Sequence, residues 1–264
     1  MSRPQITPEN GPAIYKFYLN HPSKYSRYGQ MAMSQIWRPR TLWAPGVEDA
    51  TRQQLGAGKA LLWTANHRNH HDQYIVAAAG YREEALDRTV GNYWVAVRPD
   101  LAEHPIKRLP IDGMGSIPVY RYKDFLDKDG NPNQRLLTYQ KKLTESFFET
   151  TVARSERGEM GFMFFQGERD KAETGQLEKG KLGIGEIATR IDGELDPAIL
   201  VSGFHYPTFR GTNKKNRLRP TMVMGALLTD LPNDPREVID LIVPHMQSAM
   251  DWAKEITPEL IYSK

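Results

Sequence analysis

The strongest constraint on the fold is an alternation of short apolar runs with longer segments of helical periodicity. Short apolar runs predict buried strands, and they lie at 60–65, 93–97, 117–120, 160–165, 198–204 and 221–228. Apolar residues recur at helical spacing in the segments 72–86, 134–157, 181–191 and 234–256. Strands that alternate with helices favour an α/β fold. We therefore expect a mixed sheet flanked by helices.

The first 45 residues differ from the rest in charge and in aromatic content. They contain six Lys or Arg against one Glu, together with seven Tyr, Phe or Trp. We expect residues 1–45 to form a helical segment whose aromatic residues pack on the core. The alternative is contact with a membrane surface, because such rings and cations suit the head-group region. Pro45 and Gly46 are typical of a turn, so we place the domain boundary there and a second domain at 46–264.

Composition excludes several classes of protein. The chain contains no Cys, which excludes disulfides, thiolate nucleophiles and iron–sulfur clusters. It has no apolar run of about 18 residues that would span a bilayer, and its first residues lack the apolar stretch of a secretory signal. We therefore expect a cytoplasmic protein. A net charge of +3 is too small to indicate nucleic acid as a partner.

A histidine and an aspartate follow the first apolar run at a spacing that suits general-base catalysis. His67 comes directly after this run, and Asp72 follows it by five positions. An aspartate can keep one imidazole nitrogen protonated, so that the other accepts a proton from a hydroxyl. His70 and His71 are rivals for this role, and a core histidine or a metal site is the alternative. We expect no metal, because no further cluster completes the ligand shell.

Basic residues and a glycine follow two later apolar runs. Arg121 and Lys123 come after the run 117–120, and Gly167 and Arg169 come after the run 160–165. Ligands of open α/β sheets collect outside the carboxyl ends of strands. The planar guanidinium suits phosphate, and a glycine lets the backbone approach a ligand closely. We therefore expect an anionic substrate at these residues, with ordinary surface positions as the alternative.

A third basic cluster lies between the last two apolar runs. It has no acidic residue among its members, which are Arg210, Lys214, Lys215, Arg217 and Arg219. Such a run is usually a solvated loop. The sharper interpretation is a landing patch for an acidic carrier protein or for anionic lipid.

The clusters at 66–72 and 164–171 together resemble the glycerolipid acyltransferase superfamily. Its signature is a His-x4-Asp box, then a Gly-x-Ile-x-hydrophobic-x-Arg segment, which is similar to residues 115–121, and then a Gly/Arg box. The residues 167–171, Gly-Glu-Arg-Asp-Lys, look most like the last box of glycerol-3-phosphate acyltransferases. The segment 119–123 resembles a Val-Tyr-basic segment of the soluble plastid enzymes. The resemblance covers about 58–228, with Gln166 where most relatives have Glu and Glu168 where they have Gly.

This resemblance implies a glycerol-3-phosphate acyltransferase-like fold with its catalytic domain at 46–264. The expected reaction moves a fatty acyl group from an acyl-carrier-protein or coenzyme A thioester to glycerol 3-phosphate, with no cofactor. His67 would be the base and Asp72 its orienting carboxylate, while Arg121 and Arg169 would hold the phosphate. The remaining expected substrate contacts are Lys123, Gly167, Gly115 and Ser116. The alternatives are a lysophosphatidate acyltransferase and a non-catalytic lipid-binding protein of the same fold.

Overall fold

The computed structural model describes residues 4–20, 26–103, 111–127, 129–167, 177, 180–210 and 214–258. The strands of its sheet are β1 (Arg40–Trp43), β2 (Leu61–Ala65), β3 (Tyr93–Val97), β4 (Ser116–Pro118), β5 (Met160–Phe164), β6 (Ala198–His205) and β7 (Thr221–Leu228). The α-helices of the described residues are α1 (Gly11–Asn20), α2 (Ser26–Ile36), α3 (Val47–Gly56), α4 (Asp72–Arg82), α5 (Pro99–Glu103), α6 (Gln134–Glu156), α7 (Gly183–Ala188) and α8 (Pro235–Glu255).

The seven strands form one sheet in the order β1-β7-β6-β2-β5-β3-β4. All neighbouring strands are parallel except β6 and β7, which are antiparallel. Consequently β2 to β6 run in one direction, whereas β7 and its parallel neighbour β1 run in the other. The predicted mixed α/β sheet with flanking helices is confirmed.

Helices cover both faces of the sheet, which explains why the central strands are apolar throughout. Every residue of β2 is buried. Because side chains alternate along a strand, Leu62 packs in the core on one face while Leu61 and Trp63 pack on the other. The first core includes residues of α1, α6, α7 and α8. The second includes residues of α4 and, at its margin, of α2 and α3.

The carboxyl ends of β2, β3, β4, β5 and β6 lie together at one end of the sheet, which we call the His67 end. Since β7 and β1 run in the opposite direction, their first residues also lie there. His205 at the end of β6 is paired with Thr221, which is also the partner of Arg40. The loops at the His67 end therefore come from widely separated parts of the chain. This arrangement lets distant side chains converge on one site.

Several element boundaries differ from the sequence-based expectation. The helix predicted over 72–86 ends at Arg82, and a 3-10 helix follows it at Glu84–Thr89. The third strand is Ser116–Pro118 instead of 117–120, and the helix predicted over 181–191 is confined to Gly183–Ala188. Strand β1 and helix α3 were not predicted, because neither has a marked apolar pattern. The position of β1 depends on pairing with β7, and that of α3 depends on packing on the face of the sheet opposite to α1 and α6.

The N-terminal segment contributes both helices and a strand. Helices α1 and α2 lie within the expected helical region, and β1 at Arg40–Trp43 joins the same sheet as the later strands. The division of the chain at residue 45 stays a prediction. None of the helices in the described ranges is long and apolar enough to cross a bilayer.

Candidate active site

His67 and Asp72 form a hydrogen-bonded pair at the His67 end. His67 Nδ1 lies 2.8 Å from Asp72 Oδ2. His67 belongs to the loop that follows β2, whereas Asp72 is the first residue of α4. The carboxylate is fully buried and the imidazole is 16% exposed. This geometry keeps the proton on Nδ1 and leaves Nε2 as the nitrogen that can accept a substrate proton.

The buried Asp72 carboxylate is held by a set of hydrogen bonds, as a buried charge must be. Its Oδ2 atom also accepts the backbone N–H groups of Arg68, at 2.6 Å, and Asn69, at 2.7 Å. Its Oδ1 atom accepts a hydrogen bond from the Tyr206 hydroxyl. The position at the N-terminus of α4 favours negative charge as well. These hydrogen bonds hold the carboxylate in one position, and from this position it orients His67.

Tyr206 is a donor that is kept protonated by its surroundings. Burial raises the pKa of its hydroxyl, and the adjacent Asp72 carboxylate raises this pKa further. The side chain is almost fully buried just beyond β6. Tyr206 therefore acts as a hydrogen-bond donor to Asp72 throughout the working pH range of a typical enzyme.

The loop that carries His67 is anchored to the neighbouring strands by two amide side chains. Asn66 contacts the backbone of Phe204 in β6 with both atoms of its amide: its Oδ1 atom accepts the N–H at 2.7 Å, and its Nδ2 atom donates to the carbonyl oxygen at 3.4 Å. On the other side, Gln166 Oε1 accepts the backbone N–H of His67 at 3.1 Å. The imidazole ring stacks on Phe164, with ring centroids 4.0 Å apart. Gln166 thus supplies an acceptor oxygen to this loop.

The two rival histidines have different surroundings. His70 is exposed and lines the same cavity as His67. His71 lies against Trp37 and Tyr74, with ring centroids 5.9 and 6.1 Å away, and it is absent from the cavity lining. Among the described residues there is no cluster of three or more His, Cys, Asp or Glu that could hold a metal ion.

A cavity of about 700 Å³ opens beside His67. Its polar lining contains His67, His70, Gln73, Arg98, Arg121, Lys123 and Lys181. Its apolar lining includes Tyr15, Val97, Leu101, Val119, Leu143, Phe147, Phe148, Met163 and Phe164. The polar residues come from loops and from the first turns of helices at the His67 end, while most apolar ones come from the sheet and from α1 and α6. We call the part lined by Arg98, Arg121, Lys123 and Lys181 the basic mouth of the cavity. We call the part lined by the apolar residues its apolar arm.

Arg121 lies at the cavity in a fixed orientation. Its Nε and Nη2 atoms donate to the two oxygens of Asp124, at 3.2 and 2.9 Å, and its backbone N–H donates to the same carboxylate. Asp124 offsets part of the guanidinium charge and holds its plane. Lys123 in the same 3-10 turn is exposed and also lines the cavity. The structure therefore brings both predicted basic residues of this segment to the site.

Gly167 lies at the cavity, three positions after the last residue of β5. Its φ angle of +64° places it in the left-handed region, where glycine avoids the strain of a side chain. A Cβ atom there would lie 3.3 Å from the side chain of Lys181, which shares the cavity lining. Arg169, the other basic residue expected here, lies outside the described residues.

Gly115 and Ser116 lie away from the cavity lining, at the turn into β4. Gly115 has a φ of +65°, and a Cβ atom there would lie 2.3 Å from the carbonyl oxygen of Tyr93. Ser116 is buried. Gly115 therefore lets β4 lie close to β3, which in turn sets the position of Arg121. Direct contact of these two residues with substrate stays a prediction.

Three residues of the site were missed by the sequence reasoning. Arg98 lines the cavity and forms two hydrogen bonds to Asp100, at 2.9 and 2.8 Å. It follows the apolar run 93–97 directly, so the pattern that singled out Arg121 could have found it. Lys181 lies in a glycine-rich run that lacks a phosphate-loop motif. Tyr206 follows the run 198–204, but nothing in its local sequence indicates a partner 134 positions away.

The fold and this site are accompanied by a family match that identifies an enzyme that transfers acyl groups. The family model of acyltransferases matches residues 46–201, more than half of the chain, and the chain belongs to the acyltransferase family. The matched range contains His67, Asp72 and the strands β2 to β5. No curated protein matches the chain. Membership of this family implies an acyl donor and an acceptor as substrates.

Proposed function

We propose that this acyltransferase moves a fatty acyl group from an acyl-carrier-protein or coenzyme A thioester to the hydroxyl of glycerol 3-phosphate. The observation that carries the proposal is that one cavity is lined by His67, which is paired with Asp72, together with basic residues and an apolar arm. These features match the three requirements of the reaction, which are a base, a place for phosphate and a place for an acyl chain.

In the proposed reaction His67 acts as the general base. Its Nε2 atom takes the proton of the acceptor hydroxyl while the hydroxyl oxygen attacks the thioester carbonyl carbon. Asp72 stabilises the imidazolium that forms, because its Oδ2 atom accepts the Nδ1–H bond at 2.8 Å. The carbon–sulfur bond then breaks, and the departing thiolate takes the proton from His67. The enzyme returns to its first state with an ester and a thiol as products.

The basic mouth supports a phosphorylated acceptor. The cationic side chains that line the cavity are Arg98, Arg121, Lys123 and Lys181. The charges of Arg98 and Arg121 are partly offset by Asp100 and Asp124. We therefore assign Arg121 mainly to orienting the phosphate, with Arg169 as its expected partner.

The apolar arm supports one acyl chain. Tyr15 of α1 and Leu143 and Phe147 of α6 close it from below the sheet. A cavity of about 700 Å³ lies within the range of about 300–1,000 Å³ that holds one ligand of moderate size. Glycerol 3-phosphate adds no second chain, whereas lysophosphatidate does. The volume therefore favours glycerol 3-phosphate as the acceptor.

The test is a release assay for free thiol with purified protein. Acyl-coenzyme A and acyl-carrier-protein donors are each paired with glycerol 3-phosphate, lysophosphatidate and glycerol. We expect turnover to be fastest with glycerol 3-phosphate. Equal rates with glycerol and glycerol 3-phosphate would contradict the proposal that the cavity binds phosphate. Absence of turnover with every pair, while acyl chains still bind, would favour the non-catalytic lipid-binding alternative.

A further inference from the structure

Gln73 is a buried polar residue in the wall of the cavity. It is the second residue of α4 and directly follows Asp72, whose carboxylate holds His67. Gln73 is only 9% exposed, and it lines the cavity together with His67. Its side-chain amide therefore belongs to the same site as the candidate base.

This amide has no hydrogen-bond partner among the described residues. Two other buried glutamines are bonded through their amides. Gln54 Nε2 donates to two backbone carbonyl oxygens, at 3.1 and 2.7 Å, and Gln166 Oε1 accepts the backbone N–H of His67 at 3.1 Å. A buried amide without a partner is costly. A ligand in the cavity offsets this cost at Gln73 when it supplies the partner.

The backbone N–H of Gln73 is also without a partner in the described part of the chain. In the same turn of α4, the N–H groups of Asp72, Tyr74 and Ile75 donate to carbonyl oxygens of the preceding loop, at 3.3, 2.9 and 3.2 Å. N–H groups in the first turn of a helix point out of its N-terminus, and the N-terminus of α4 lies at the His67 end. Gln73 therefore brings two unbonded donors to this end of the helix.

The proposed acyl transfer needs donors of this kind. When the acceptor oxygen bonds to the thioester carbonyl carbon, His67 Nε2 takes the hydroxyl proton and an electron pair of the C=O double bond moves onto the carbonyl oxygen. Preorganised neutral donors stabilise the negative charge on this oxygen. When the carbon–sulfur bond breaks, the electron pair returns to the C=O bond and the thiolate takes the proton from His67.

We propose that Gln73 stabilises the oxyanion of this reaction, with its Nε2 atom and its backbone N–H as the donors to the thioester carbonyl oxygen. This role rests on the proposed acyl transfer. The amide makes no bond within the described structure, so it can turn toward the oxygen without breaking one. The short segment 67–73 then supplies the base, its orienting carboxylate and the oxyanion donors.

Two other kinds of donor in the cavity lining fit this role less well. The guanidinium groups of Arg98 and Arg121 each donate two hydrogen bonds to a neighbouring aspartate. The Tyr120 hydroxyl is buried and unbonded among the described residues, but Tyr120 follows β4. This strand is three positions from β2, which is about 14 Å at a strand spacing of about 4.8 Å. By contrast, the Cα atoms of Gln73 and Asp72 are about 3.8 Å apart.

The kinetic test compares Gln73→Met with the unaltered chain in the thiol-release assay. Methionine has a similar size but no side-chain donor. Because an oxyanion contact forms only in the transition state, kcat should fall by roughly 10²–10³-fold while both KM values change little. Gln73→Glu should lose at least as much, since its carboxylate repels the negative oxygen. A higher KM for the acceptor at an unaltered kcat would overturn the proposal, because Gln73 would then bind the acceptor in the ground state.

Stability separates this role from a structural one. Gln73→Met removes no hydrogen bond within the described structure, so Tm should stay the same or rise. Gln54→Met is the matched control, because it removes two hydrogen bonds to backbone groups that precede β2 and β6, away from the cavity. The control should lower Tm and leave kcat of the folded enzyme unchanged. If Gln73→Met lowers Tm as Gln54→Met does and its kcat recovers on cooling, its role is structural and the proposal is wrong.

A binding experiment tests the site without turnover. A long-chain alkyl trifluoromethyl ketone hydrates in water to a tetrahedral carbon that carries two oxygens, whereas the methyl ketone of the same length stays trigonal. Calorimetric titration should show that the unaltered chain binds the trifluoromethyl ketone about tenfold or more tightly than the methyl ketone. Gln73→Met should lose this preference, and Gln54→Met should keep it. Equal binding of both ketones by the unaltered chain would overturn the proposal.

The two experiments together separate a failure of this proposal from a failure of the proposed function. If the preference for the trifluoromethyl ketone depends on Gln73 but no pair of donor and acceptor turns over, the proposed function is wrong and the oxyanion site stands. If acyl transfer proceeds and Gln73→Met keeps its kcat, the proposed function stands and the role of Gln73 is wrong.

Discussion

The Tyr206 hydroxyl donates a hydrogen bond to Asp72 Oδ1, while His67 Nδ1 contacts Oδ2 of the same carboxylate. Two side chains from different strand ends thus hold the carboxylate from its two oxygens. The contact joins β6 to the N-terminus of α4 and leaves the buried charge fully paired. Tyr206 is therefore a positioning residue for the candidate base.

Replacing Tyr206 tests this role. We expect Tyr206→Phe to lower the free energy of unfolding by about 1.5–3 kcal/mol, because one hydrogen bond to a buried charged group is lost. It should also lower kcat, by less than Asp72→Asn does. Urea unfolding and thiol release measure the two effects. Tyr81→Phe, at a partly exposed tyrosine of α4, is the control; if it matches Tyr206→Phe in kcat, the positioning role is wrong.

The identity of the base is tested at the histidines of the first box. His67→Ala should lower kcat by roughly 10²–10⁴-fold, the usual contribution of a general base. Asp72→Asn should also be severe, since it disturbs the tautomer and orientation of His67. His71→Ala is the control, because His71 packs on Trp37 and Tyr74 away from the cavity. Near-normal turnover in His67→Ala, together with inactivity of His70→Ala, would transfer the role to His70.

The phosphate site is tested at Arg121 and Arg169. Either change to Ala should raise KM for glycerol 3-phosphate by roughly 10–100-fold, because a charged hydrogen bond contributes about 1.5–3 kcal/mol. KM for the acyl donor should change little. Asp124→Ala keeps the Arg121 charge but removes its anchor, so its effect should be smaller than that of Arg121→Ala. The measurement is steady-state kinetics with each substrate varied in turn. If both KM values rise together, the change disturbs the site as a whole and the assignment of the phosphate site is wrong.

Acyl-chain preference is tested at the apolar arm. Thr144 lines the cavity from α6, next to the buried Leu143. Thr144→Trp should fill part of the arm and shift kcat/KM toward shorter acyl chains, since overlong chains would be overpacked. Lys142→Trp, at an exposed position of α6 outside the lining, should leave the chain-length profile unchanged. An unaltered profile in Thr144→Trp would show that the acyl chain lies elsewhere.

His205 makes stability depend on pH. Burial, and to a smaller extent the positive charges of Arg68, Lys254 and Lys215, lower its pKa from 6.5 to about 4. Below about 6.5 the unfolded chain takes up a proton that the folded chain does not, so stability is full above this pH and falls toward pH 4. His205→Gln should therefore reduce the loss of Tm between neutral and acidic pH. An identical dependence of Tm on pH in the variant would show that His205 does not contribute to the pH dependence of stability.

The strands and long helices were predictable because their patterns are local. The runs 93–97 and 221–228 match β3 and β7 in full, and the segment 134–157 matches α6 to within one residue. Each pattern follows from the alternation of side chains on a strand or from the helical repeat. Strand β1 lacks such a pattern. Arg40–Trp43 forms a strand because it pairs with the edge of β7 that faces away from β6.

The sequence alone determined the α/β class and placed His67, Asp72, Arg121, Lys123 and Gly167 just beyond apolar runs. It could do so because strand ends are encoded by short stretches of chain. Only the tertiary structure decided that Tyr206 holds Asp72, that Gln166 anchors the His67 loop, and that Gly115 and Ser116 lie away from the cavity. These relations depend on the order and direction of the strands, which long-range packing decides and which local patterns along the chain do not encode.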